Sequence, residues 1–284
     1  MYVIAGITGN TGGAAARALI AAGHAVRGLT RDVSKAGEWA DQVELVELEL
    51  TDTAALTTAL TGAKGAYLLI PPHWTTPDYD AYAAPIAASI AEAVGASGVE
   101  RVVLLSSIGA ELAEGTGPIR ILYGLERAMA EQGGTTFLRP AYFHENIGGS
   151  LEPASQGTLP VFFDPDSAIP MVATRDIGAE VARQLLIPAA EAEAIVQLAG
   201  PQEYSFSEVA TELGTALGRD VQPLVLPPDA VIEPLRQLGA GHIAELYAEM
   251  NHALQDGLLR FDPALPIHRG PTALGATLAG MTAG

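Results

Sequence analysis

Residues 1–32, MYVIAGITGNTGGAAARALIAAGHAVRGLTRD, constrain the fold more than any other stretch. Tyr2 to Ile7 is a short apolar run bounded by glycine, the pattern of a buried parallel strand. Gly6, Gly9 and Gly12 then fall at three-residue spacing. Ala14 to Ala22 reads as an alanine-rich helix with Gly23 just past its end, and Ala25 to Thr30 as a second short strand. Strand, glycine turn and helix in that order let backbone approach a pyrophosphate and aim helix N–H groups at it. The stretch reads as the opening of a dinucleotide-binding domain, with Gly6, Thr8, Gly9, Asn10, Thr11 and Gly12 on the phosphate side.

The spacing is GxxGxxG, not the GxGxxG of ordinary NAD dehydrogenases. Gly6-Ile7-Thr8-Gly9-Asn10-Thr11-Gly12 resembles the GxTGxxG turn of the extended and atypical short-chain dehydrogenases/reductases. The end of the second strand bears on cofactor choice. An NAD site wants an acid there for the ribose 2′-hydroxyl, and an NADP site a cation for the 2′-phosphate. The chain has Thr30-Arg31-Asp32. A guanidinium at Arg31 suits a phosphate, while Asp32 argues for NAD if it points inward. NADP(H) is favoured over NAD(H).

Composition narrows the class. With 49% hydrophobic and 17% charged residues over 284 positions, the chain is globular and long enough for one large α/β unit or one such unit with a smaller lobe. A net charge of −18 weighs against nucleic acid and anionic membranes as partners. The absence of cysteine excludes disulfides, thiolate catalysis and zinc–thiolate sites. No charged leader precedes the first strand and no apolar run reaches a membrane-spanning length, so a cytoplasmic location is expected.

Further along, Val33 to Ala40 reads as a short helix or loop, and Val43 to Leu50 as a strand near the sheet edge. A helix follows from Ala54 to Leu60, capped by Asp52 or Thr53. Gly65 to Ile70 is a buried strand closed by Pro71-Pro72. Asp78 to Gly95 is a long helix and Glu100 to Ser107 a strand ending in two serines. Ile119 to Gln132 is a helix, and Thr135 to Arg139 a strand closed by Pro140. Ligands of open parallel sheets lie beyond the carboxyl ends of the strands. That rim carries Ile70, Pro71, His73, Trp74, Ser106 and Ser107. Thr158 to Phe163 and Ala168 to Val172 read as a hairpin. Val221 to Ala240, with four prolines, reads as loop-rich, and Gly241 to Leu258 as an amphipathic helix. Its His242, Glu245 and His252 lack the spacing of a zinc helix, and no metal site is expected. The alternation predicts an α/β fold, a doubly wound parallel sheet (Rossmann) with a smaller C-terminal substrate lobe. Residues 1–140 are assigned to the NAD(P)-binding domain, with strands near 170–173 and 194–198 returning to it, and residues 141–284 mainly to the lobe.

Several downstream runs are similar to the NmrA-like family of atypical short-chain dehydrogenases. They are Glu126 in its helix, Leu138-Arg139-Pro140, Phe143-His144-Glu145-Asn146, and Val172-Ala173-Thr174-Arg175-Asp176-Ile177. Leu198-Ala199-Gly200-Pro201 before Phe206-Ser207-Glu208-Val209-Ala210 and, last, Arg269-Gly270-Pro271-Thr272 continue the series in order. The resemblance implies a Rossmann fold and an NADP(H) cofactor. It also implies that Glu49-Leu50 occupies the place of an adenine-contacting Asp-Leu pair, and that Asn146 lies near the nicotinamide. Members include NADPH-dependent quinone reductases, dye reductases, plant aromatic ether reductases and non-catalytic NADP-sensing regulators.

The chemistry is less determined. The Tyr-x-x-x-Lys pair of most short-chain dehydrogenases is represented only by Tyr123-Gly-Leu-Glu126-Arg127, with arginine in place of lysine, and the lysine of the ether-reductase branch falls near Leu122 and is absent. A readily reduced acceptor needs only a cofactor held face-on and a donor for the developing anion. Ser107, Tyr123, Tyr142 and Asn146 are the candidate donors. His73, Trp74, Tyr142 and Phe143 are the candidate substrate contacts. The expectation is an NADPH-dependent reductase of a quinone-like or other conjugated, aromatic small molecule, acting as a monomer or homodimer. The alternatives are an NADP(H)-sensing regulator without turnover, or a non-redox biosynthetic enzyme that keeps the cofactor fold.

Overall fold

Eight strands build one parallel sheet, in the order Ile267–Arg269, Ile195–Ala199, Thr135–Pro140, Val102–Leu105, Gly65–Leu68, Tyr2–Ala5, Val26–Thr30 and Glu44–Glu47. The structure, a computed structural model, describes residues 1–283. Its first half alternates strand and helix: β1 (Tyr2–Ala5), α1 (Asn10–Ala21), β2 (Val26–Thr30), β3 (Glu44–Glu47), α2 (Thr53–Leu60), β4 (Gly65–Leu68), α3 (Tyr79–Ser97), β5 (Val102–Leu105), α4 (Arg120–Met129) and β6 (Thr135–Pro140). Parallel neighbours require crossovers, and the helices that supply them cover both faces, so the central strands are apolar throughout. One face packs under α2, α3 and α4 around Leu56, Ile86, Ile90 and Leu125. The other packs under α1 around Ile4, Leu19, Tyr67 and Leu138.

After β6 the chain continues as β7 (Tyr142–Phe143), α5 (Leu151–Ser155), β8 (Thr158–Val161), β9 (Ile169–Val172), α6 (Thr174–Leu186), β10 (Ile195–Ala199), β11 (Glu203–Tyr204), α7 (Phe206–Leu217), β12 (Gln222–Val225), α8 (Ile232–Gln237), α9 (Ile243–Gln255), β13 (Ile267–Arg269) and α10 (Leu274–Thr282). A separate apolar cluster around Leu159, Phe163, Phe206, Leu213 and Leu278 holds this part together.

Four sequence expectations are corrected. The first helix begins at Asn10, not Ala14, because Gly9 leaves the turn in extended geometry and the glycine turn runs straight into helix. The hairpin between 158–163 and 168–172 does not form. β8 pairs in parallel with β12, and β9 joins β7 and β11 in a three-stranded sheet. The strand near 170–173 therefore does not return to the main sheet, whereas β10 does, beside β6. Finally, β13 adds an edge strand beside β10 where the sequence reading placed no strand. Strands Val43 to Leu50 and Gly65 to Ile70 are also shorter than read, Glu44–Glu47 and Gly65–Leu68.

Helix α6 binds the lobe to the cofactor side. A Cβ on Gly178 would lie 2.4 Å from the Ala14 carbonyl carbon, so α1 and α6 touch backbone to backbone at that glycine. Among the described residues no helix is long and apolar enough to cross a membrane.

Candidate functional site

The glycine turn is built by close packing of backbone. Gly6 adopts φ +61°, and its carbonyl accepts the Gly9 N–H at 2.9 Å. A Cβ on Gly12 would stand 2.3 Å from the Gly6 oxygen and 2.7 Å from the Ala5 oxygen, so no side chain fits there. Gly9 caps α1 without a side-chain hydrogen bond, and no acid lies in the first turn. The first helical N–H groups, of Asn10, Thr11 and Gly12, have no acceptor in the preceding turn. Together with the helix dipole they form an anion cradle of the size and sign a pyrophosphate needs. Thr8, Gly9 and Asn10 are exposed on it. Thr11 differs from expectation in one respect. Its buried hydroxyl accepts a hydrogen bond from Tyr67 at 2.9 Å, so only its backbone faces the cradle.

The end of β2 is where the adenosine side of a dinucleotide was expected. Arg31 is exposed just past β2 and makes no ion pair among the described residues. Asp32 is turned away from it. Its carboxylate accepts the Ser34 N–H at 3.0 Å and pairs with Lys35 at 3.1 Å, and the Ser34 hydroxyl, then Lys35, holds it below the usual carboxylate range. The charge of Arg31 and that of Glu49 both reach the Tyr82 phenol. Tyr82 donates to the Pro71 carbonyl at 3.0 Å and so joins the rim after β4 to this corner. Glu49 is exposed and Leu50 half-buried beside it.

Beyond the carboxyl ends of β4, β5 and β6 lies a cleft of about 550 Å³. It collects Ile70, Trp74, Ser106, Ser107, Tyr142, Phe143 and Asn146 from the sequence-predicted set. His73, Pro71 and Tyr123 do not line it. His73 packs against Tyr82, ring centroids 4.9 Å apart, with its Nδ1 buried and unpartnered. Leu122 lines the cleft where the Tyr123 candidate was expected, because the amphipathic α4 turns that leucine inward.

Two of the motif residues divide the labour. Glu145 anchors the segment, since its carboxylate accepts the Thr174 N–H at 3.0 Å and the Thr174 hydroxyl at 2.6 Å at the start of α6. The neighbouring Asn146 amide makes no side-chain hydrogen bond among the described residues and stands on the cleft. The serines divide likewise. Ser106 is buried and donates to Glu126, which Arg139 grips, while Ser107 keeps its hydroxyl for the cleft.

Sequence reasoning missed Tyr79, Tyr247, Met250, Leu254 and Leu259 as cleft residues. The signal lay in the apolar stripe of α9, where Tyr247, Met250 and Leu254 recur at i, i+3, i+7. Trp74 stacks on Tyr247, centroids 5.1 Å apart and planes 18° from parallel, and the Gly241 N–H donates to the Trp74 carbonyl at 3.0 Å. No charged side chain lines the cleft among the described residues.

The model of the NmrA-like family matches residues 2–257. Over 259 residues the chain is 27% identical to YesF, an uncharacterized oxidoreductase of Bacillus subtilis (strain 168), covering 90% of this chain and 85% of that protein. Among solved structures it superposes on the NADPH-dependent quinone oxidoreductase QOR2 of Escherichia coli in complex with NADPH. The TM-score is 0.81 at 24% identity, with 99% of each chain covered. It superposes equally, TM-score 0.81 at 21% identity, on Citrobacter sp. triphenylmethane reductase complexed with NADP(H), covering 99% of this chain and 100% of that one. At these identities the likeness is one of fold.

Proposed function

The chain belongs to the NmrA-like family, and from that premise we propose that it is an NADP(H)-dependent reductase of an uncharged, conjugated small molecule of the quinone type. The observation that carries the reading is the uncharged cleft opening beside Ser107 and Asn146 at the carboxyl ends of the central strands. The glycine cradle and Arg31 fit a dinucleotide with a 2′-phosphate, because the cradle offers free N–H groups and Arg31, at the end of β2, has no carboxylate partner among the described residues. A reduced nicotinamide held there would supply hydride, two electrons with one hydrogen nucleus, and bulk solvent would supply the proton once the reduced anion leaves the cleft.

The residues of this chain position and stabilise. Ile70, Tyr142 and Phe143 exclude water from the reacting face. The Asn146 amide and the Ser107 hydroxyl donate hydrogen bonds to the oxygen on which negative charge develops. Tyr142 stays protonated, since burial drives its phenol far above the ordinary tyrosine range, so it too serves as a donor and not as a base. No lysine assists, which suits an acceptor that is reduced without prior protonation.

The test is to mix the protein with NADPH and a panel of quinones, azo dyes and enones and follow the nicotinamide absorbance. Oxidation that depends on a quinone supports the reading. Tight NADPH binding with no oxidation across the panel overturns it and favours a cofactor-sensing regulator, a reading to which the displacement of Tyr123 from the cleft lends weight.

A further inference from the structure

One wall of the cleft carries phenols that the hydride step does not require. Tyr79 opens α3 and Tyr247 lies midway along α9. Both line the cleft, and neither hydroxyl meets a hydrogen-bond partner in the described residues. Among the described residues three other tyrosines do find partners, whereas Tyr142, also on the cleft, has none. Tyr67 donates to Thr11, Tyr82 to Pro71, and Tyr204 accepts the Leu274 N–H. A tyrosine hydroxyl set into an apolar wall ordinarily finds a partner, and one left without it loses stability. Neither the Tyr79 nor the Tyr247 oxygen is among the sealed, unpartnered polar atoms, and both residues line the cleft.

The orientation of Tyr247 is fixed. Trp74 covers one face of its ring, and the loop carrying Trp74 is tied to the start of the α9 segment through Gly241. A Cβ on Gly241 would lie 2.2 Å from the Thr76 carbonyl oxygen, so the two segments are in backbone contact. Burial pushes the Tyr247 phenol up to about 12, and the Tyr79 phenol, buried and near Tyr247, higher still. Both therefore remain neutral donors across physiological pH.

We propose that Tyr79 and Tyr247 form a neutral oxygen-recognition point that selects substrates carrying a carbonyl or ether oxygen on a planar ring system. The point binds by hydrogen-bond donation and involves no proton transfer. Because the lining offers no cation, substrates bearing a carboxylate or sulfonate are rejected, their desolvation going uncompensated. The inference rests on the cleft being the acceptor site of the proposed reductase.

Binding without turnover tests it. The fluorescence of Trp74 on the cleft rim reports occupancy, while Trp39, the second tryptophan, is buried beneath Arg17 and acts as a constant background. The protein saturated with NADP⁺ is titrated with 1,4-naphthoquinone, naphthalene and 1,4-naphthoquinone-2-sulfonate. Tyr79→Phe and Tyr247→Phe are each expected to weaken naphthoquinone about three- to tenfold, the size of one net hydrogen bond. Naphthalene affinity stays unchanged, and the sulfonate binds wild type at least about tenfold more weakly than its parent.

Unchanged naphthoquinone affinity in the double variant overturns the proposal, as does equal weakening of naphthalene, or a wild type that binds no naphthoquinone. Should Tyr247→Phe disturb folding through the Trp74 stack, Tyr79→Phe alone decides. Phenol-dependent binding of a quinone that NADPH then fails to reduce overturns the reductase reading and leaves this one standing.

Discussion

Arg139 holds Glu126 through two parallel hydrogen bonds, Nε to Oε1 at 2.9 Å and Nη2 to Oε2 at 2.6 Å. Both side chains are almost wholly buried, 8% and 11% exposed. Ser106 completes the carboxylate's partners from the end of β5. The pair locks α4 onto β6 directly beneath the cleft. Removing Glu126 leaves the buried Arg139 with only the exposed Glu111, 2.8 Å from its Nη1, as a carboxylate partner. Glu126→Gln is expected to lower stability by about 3 kcal/mol, and Glu126→Gln with Arg139→Met to recover much of it. Urea denaturation of the two singles and the double checks this, and additive losses would count against the coupling.

Gly12→Ala drives a methyl group into two carbonyl oxygens. The turn must open, costing about 1–3 kcal/mol of stability and abolishing the anion cradle. Calorimetric titration with NADPH reads the loss. Affinity within twofold of wild type would mean the cradle is not where the dinucleotide sits.

Gly124→Ala is the contrasting substitution. Gly124 lies inside α4, and a methyl group on its Cα would meet no atom within 4 Å. The exchange should raise stability by about 0.5–1 kcal/mol through the unfolded chain and helix propensity, visible as an upward shift in Tm.

Arg31→Ala should weaken NADPH by roughly ten- to a hundredfold, the range of charged hydrogen bonds to phosphate, and leave NADH nearly unaffected. Equal losses for the two cofactors would remove Arg31 from the 2′-phosphate.

His144 is wholly buried, with Nδ1 3.1 Å from the Thr277 hydroxyl and Nε2 unpartnered. Burial lowers its pKa from 6.5 to about 4, partly opposed by Asp176. The unfolded chain thus binds a proton that the native protein refuses between those values. Stability from this group is complete above pH 6.5 and is lost as pH falls toward 4, by about 3 kcal/mol in all. Urea midpoints across this window should fall less steeply for His144→Gln than for wild type, and identical slopes would contradict the assignment.

The glycine turn was legible because its causes are local. Gly6 and Gly12 are needed by backbone geometry within a dozen residues, and Glu145 and Asn146 stand at adjacent positions. The substrate wall was not legible for the opposite reason. Tyr79 and Tyr247 meet only after the loop through Trp74 has docked on α9, and the apolar stripe of that helix says that it covers something without saying what. Neighbourhood in sequence misled for 158–172, where two nearby extended runs suggested a hairpin. The Gln222–Val225 strand takes β8 as its partner instead, and Glu203–Tyr204 takes β9. Ile267–Arg269 was too short to carry any periodic signal.

The contact between Gly178 and Ala14 has a consequence for biosynthesis. The glycine turn is synthesised well before α6, yet the helix behind it gains its backing only when α6 has been made. A nascent chain halted before residue 178 carries the glycine turn on a helix whose alanine face is bare. An N-terminal fragment ending at β6 is therefore expected to bind NADPH poorly even though every residue of the turn is present.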